Sequence, residues 1–104
     1  MKYAEYLEDL REVIHSLHGV HSTHITSVPV TEKHNGKVIW DGFVEVFELH
    51  GHLKATHAYA WSHETDDPEQ PRRSVTVLKI PPAVSPEAAV RVAIMQELRD
   101  AETA

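Results

Sequence analysis

Nine histidines and no cysteine set the chemistry open to this chain. Four of the histidines fall three residues apart, at His15, His18, His21 and His24 in "HSLHGVHSTH". Neutral imidazole ligates zinc, copper or nickel, and ligands three apart on one continuous helix face the same way. The helix carrying His15 and His18 is expected to end at Gly19, so His21 and His24 continue along a loop and into a strand, and the four do not share a focus. Two imidazoles at a helix C-terminus, favoured by its dipole, and two solvated loop imidazoles account for the pattern.

His50 and His52, in "HGH", would point to one side of a strand. The spacing resembles the H-x-H of cupin metal sites, but Leu53, Lys54, Ala55 and Thr56 follow where that family places a glutamate, and too few strands are expected for its double-sheet barrel. No cofactor is expected; the alternative is a divalent transition metal, for which His50, His52, His57 and His63 are the candidate set. His52 and His57 are an odd number of residues apart, which sets them on opposite faces of a regular strand.

The acids of "HETDDPE" (Glu64, Asp66, Asp67 and Glu69) lack the alternating spacing and central glycine of an EF-hand. Without cysteine there are no disulfides and no thiolate chemistry. No nucleophile elbow, phosphate-binding loop or dinucleotide-binding turn is present. Asp41 and Glu45, in phase on one strand, offer a carboxylate pair for acid–base work with His57 or His63. Whether the chain is an enzyme, and of what reaction, is left open by these residues.

A clearer signal lies in "LKATHAYAWSHE". One alternate set holds Leu53, Ala55, His57, Tyr59, Trp61 and His63; the other holds Lys54, Thr56, Ala58, Ala60 and Ser62. If helices lie against the small set, the rings face outward, and with Trp40 they form a sticky surface of Trp40, His57, Tyr59, Trp61 and His63 that calls for a ligand or a second copy of the chain. The expected function is a small binding domain that self-associates as a homodimer through this open face of its sheet. The alternatives are a histidine-based metal or small-ligand site, hydrolytic in one version, and an RNA-binding module, which the acidic charge disfavours.

These residues need elements to hold them. Tyr3, Tyr6, Leu7, Leu10, Val13, Ile14 and Leu17 recur at helical steps and predict an amphipathic helix ending near His18. Four strands are predicted over Ile25–Glu32, Val38–Leu49, Leu53–Ser62 and Ser74–Ile80. Asn35-Gly36 supplies the first turn, Gly51 the second, and the polar stretch "ETDDPEQPRR" the third. Ser85 as N-cap, Pro86 and Glu87 open a second helix with Val90, Ala93, Ile94, Leu98 and Ala101 as its buried stripe. The apolar set of the second strand changes phase near Phe47, which suggests a bulge there. The reading is one α+β domain over 1–104, ordered α-β-β-β-β-α, an antiparallel meander with both helices packed on a single face.

A formal charge of −6 opposes polyanion binding, and nine protons on the histidines would carry it to +3 in acid. The N-terminus carries acids where a secretory signal needs an apolar run, and no stretch approaches a membrane span, so no membrane association and a cytoplasmic location are expected. The element order is similar to the double-stranded-RNA-binding domain. That family contacts phosphate with a lysine-rich helix start, whereas here the start reads "VSPEAAVRVA" with Glu87 and a lone Arg91, so nucleic-acid binding is not expected. The block "WDGFVEVFELHGHLKATHAYAW" resembles one in small bacterial proteins of about this length, which implies a bacterial cytoplasmic domain and brings no activity with it.

Overall fold

The structure, a computed structural model, describes residues 2–103. Helix α1 (Lys2–His18) leads into strands β1 (His21–His34), β2 (Lys37–His50), β3 (His57–Glu64) and β4 (Arg72–Leu78), and α2 (Pro86–Thr103) closes the chain. The strands form one open antiparallel sheet in the order β1-β2-β3-β4. The α+β class and the α-β-β-β-β-α order stand as expected. Among the described residues no helix is long and apolar enough to cross a membrane.

Local chemistry explains the joints. Asn35 and Gly36 turn with φ of 51° and 78°, the left-handed pair that a two-residue hairpin of this twist requires. Ser85 Oγ accepts from the Ala88 N–H at 3.1 Å, capping α2 three residues into its first turn. Strand β3 starts later than expected because the His52 imidazole reshapes the chain before it. His52 Nδ1 accepts from the Lys54 and Ala55 N–H groups at 3.0 and 3.1 Å, holding 52–55 out of the ladder.

The expectation that both helices share one face is corrected by the packing. Leu10 and Ile14 of α1 bury against Phe47, Leu49, Ala58 and Ala60. Ala89 and Val90 of α2 bury against Val30, Val44, Tyr59 and Trp61. Alternate residues of β3 thus lie under different helices, one on each face of the sheet. The reason is volume: the large stripe of α1 meets alanines, and the small stripe of α2 meets aromatics, so each layer fills its gap. The stripe of α2 also ends sooner than expected, since Val90 is buried and Ala93 and Ile94 are half-buried, whereas Leu98 and Ala101 are exposed.

The bulge expected in β2 near Phe47 falls on the partner strand, directly opposite Phe47 and Val46. Val44 and Val46 serve the α2 face while Phe47 and Leu49 serve the α1 face, so β2 keeps one phase and both its sets are covered. The register shifts fall where Ile25 is inserted in β1, between His24 and Thr26, and where Ile39 is inserted in β2, opposite Glu32 and Lys33.

Strands β1 and β2 pair along nearly their whole length, but β2 pairs with β3 only from Glu45–Ala60 to Glu48–His57. Residues 37–44 therefore belong to a two-stranded arm that parts from β3.

Candidate functional site

The parting of β2 from β3 opens a cleft of about 240 Å³ lined by Trp40, Asp41, Trp61, His63, Ala93, Ile94 and Glu97. Gly42 shapes it. A Cβ at that position would stand 3.3 Å from Trp40 Cη2, so the absence of a side chain lets the indole lie back across the strand. The two indoles meet edge to face with centroids 5.5 Å apart. His63 Nδ1 lies 3.1 Å from the Glu64 carbonyl oxygen, and its Nε2 is shielded from solvent, 3.8 Å from Glu97 Oε1.

Of the five residues expected to form one open surface, Trp40, Trp61 and His63 line this cleft and the other two do not. Tyr59 and Trp61 are each only 3% exposed, beneath α2. Burial first, and then the negative charge of Glu87, holds the Tyr59 hydroxyl above a phenol's ordinary pKa. His57 lies at the other end of β3, its Nδ1 2.8 Å from Thr56 Oγ1. The open aromatic face is therefore corrected: the bulky set of β3 faces a helix, as does the small set.

The histidines scatter. His15 stacks on His21 at 4.7 Å, His18 meets His52 edge-on at 6.1 Å, and His24 turns into the α1 face. His50 Nε2 sits 2.6 Å from Thr23 Oγ1, and His52 serves its own turn. The structure does not bring His50, His52, His57 and His63 together, and among the described residues no three metal-ligating side chains converge. His18 and His52 do interact: desolvation, and then repulsion from His52, lower the pKa of His18.

A polar node that the sequence pattern does not predict lies on the α1 face. Glu45 is 1% exposed, yet three donors reach its carboxylate: Tyr3 Oη at 2.9 Å and His24 Nε2 at 2.8 Å on Oε1, and Ser27 Oγ at 2.9 Å on Oε2. Glu45 does not join Asp41 in a carboxylate pair; Asp41 Oδ1 accepts instead from Thr31 Oγ1 at 2.8 Å. A buried carboxylate needs such partners, because leaving one unpaired is costly. The available signal was a lone acid between Val44 and Val46 in an apolar run, which marks a position where a charge must be compensated.

Comparison of the chain with protein-family models, curated proteins and solved structures finds no match. The node ties the first turn of α1 to β1 and β2, and the cleft presents two indoles, an imidazole and the Glu97 carboxylate to whatever enters it.

Proposed function

We propose that this is a small binding domain that self-associates, and that it does so through the open half of the α1 face rather than through the ring-bearing side of β3. The observation that supports this is Phe43. It shares a face with Glu45 and Phe47, but α1 begins over Glu45, where Tyr3 reaches the carboxylate, so the helix never extends over Phe43. Phe43 is 61% exposed, and Val38 and Ile39 on the same arm are 55% and 51% exposed.

A two-stranded ribbon is marginal in water unless its apolar face is covered. α2 covers one side of the arm, through Val28, Val30, Val44 and Trp40. The other side has no helix, and a two-fold pair of copies would close each other's surface with the same residues. Sedimentation or light scattering is expected to give twice the monomer mass at micromolar concentration and above, and Phe43→Glu to return it to one. A wild-type chain that stays monomeric across that range would defeat the reading.

A further inference from the structure

Asn35, at the tip of the two-stranded arm, is the chain's only asparagine; Gly36 follows it, and both are exposed. The last ladder pair is His34–Lys37, so the Gly36 nitrogen stands outside the ladder. Nothing lies within 4 Å of where a Gly36 side chain would be, and the Asn35 amide has no hydrogen-bond partner among the described residues. An unhindered backbone nitrogen is thus tethered to an unanchored carboxamide, and intramolecular attack gains greatly from such proximity. Ring closure requires Asn35 to leave its turn geometry, in which φ is 51°. Only two ladder pairs, Lys33–Val38 and His34–Lys37, separate the turn from the register shift at Ile39, and a hairpin end of that kind opens at little cost. Asp41-Gly42 is a second pair open to the same cyclisation, but both residues lie within the ladder, opposite Thr31 and Val30, and Asp41 Oδ1 accepts from Thr31 Oγ1 at 2.8 Å.

We propose that Asn35 is a site of self-modification in the folded chain, and that Asp41 is not. Gly36 N attacks Asn35 Cγ: the new N–Cγ bond closes a cyclic imide, the Cγ–Nδ2 bond breaks, and ammonia leaves with the proton that Gly36 N gives up. Water then opens the imide at either carbonyl. Opening at Cγ leaves aspartate, and opening at the backbone carbonyl leaves isoaspartate, whose main chain runs through the former side chain. Either product adds one negative charge to the formal −6. Isoaspartate also lengthens the backbone by one carbon, which the left-handed pair of a two-residue turn does not accommodate, so the arm unpairs at His34–Lys37 and Lys33–Val38. Nothing in it depends on self-association through Phe43.

The test keeps the folded chain in mildly alkaline buffer below the concentration of association, and follows Asn35 and Asp41 by digestion, chromatographic separation of the isomeric peptides and mass spectrometry. Asn35 is expected to convert with stoichiometric release of ammonia, at a rate within about tenfold of that in the urea-unfolded chain, because the tip frays readily. Asp41 should isomerise in urea and stay intact in the folded chain. Asn35→Gln places the carboxamide one carbon further out and should cut ammonia release about a hundredfold, as a misplaced intramolecular attack does. Amide resonances of Lys33, Lys37 and Val38 should shift as wild-type conversion proceeds, while those of Ala58 and Ala60 in the core hold still, a readout that needs no variant. Asn35 persisting in the folded chain while the urea-unfolded chain converts would overturn the proposal. Isomerisation of Asp41 in step with Asn35, or undiminished ammonia release from Asn35→Gln, would overturn it as well.

Discussion

Glu45 Oε1 lies 2.8 Å from His24 Nε2 in the interior of the α1 face, where Tyr3 and Ser27 complete its shell. Since the carboxylate accepts, the imidazole donates from Nε2. Glu45→Ala removes the acceptor for three donors at once and opens a hole beneath the helix. We expect it to cost about 1–3 kcal/mol, the range for leaving buried donors without their acceptor. Glu45→Gln keeps one acceptor oxygen and should cost distinctly less. Urea unfolding measures both, and equal, small losses would show that the node contributes little.

His18 gives stability a dependence on pH of definite sign. Its pKa is lowered in the folded chain, by desolvation first and by His52 second. The unfolded chain therefore takes up this proton first as pH falls. Stability from His18 is full above the ordinary imidazole value, about 6.5, and is lost as pH falls through the lower folded value. His18→Gln should flatten the acid side of the stability curve, and His52→Gln should flatten it by a smaller amount. An unchanged slope in His18→Gln, measured by urea unfolding between pH 7 and pH 5, would exclude the effect.

The two faces of β3 separate what was legible in the sequence from what was not. The alternation of Ala58 and Ala60 with Tyr59 and Trp61 correctly puts small and large residues on opposite sides, and the caps and turns at Gly19, Asn35-Gly36 and Ser85 mark the element ends. Periodicity cannot tell which side a helix covers, because that depends on how the chain crosses the sheet between β4 and α2. The discriminating signal was the size of the helix stripes. Leu10 and Ile14 call for small partners, and Ala89, Val90 and Ala93 for large ones, so two complementary layers account for both sets. The cleft was less legible still. Trp40 and His63 are far apart in sequence, and they meet only because pairing between β2 and β3 stops at Glu45–Ala60.

Covered and uncovered rings should respond differently to truncation. Trp61→Ala and Tyr59→Ala remove buried rings beneath α2 and should each cost about 3–5 kcal/mol. Phe43→Ala, at an exposed ring, should change the stability of the monomer by no more than about 0.5 kcal/mol. Denaturant unfolding at concentrations below association checks this. Small losses at both Trp61 and Tyr59 would put those rings on the open face that the sequence pattern predicts.

Salt offers a sharper view of the occupant of the Phe43 surface than mass alone. Each chain carries a formal charge of −6, so two copies repel while apolar burial draws them together. The screening length falls from about 30 Å at 0.01 M salt to about 10 Å at 0.1 M. The molecule measures 38 × 33 × 28 Å, so the first condition lets the whole of each chain feel its neighbour and the second confines repulsion to groups near the contact. Self-association should therefore tighten as salt rises over this range, and Phe43→Glu should remain monomeric at both ends. A basic partner on the same surface would show the reverse slope, loosening as its attraction to the acidic chain is screened. Sedimentation velocity at the two salt concentrations distinguishes them, because only a contact between like-charged copies gains from screening.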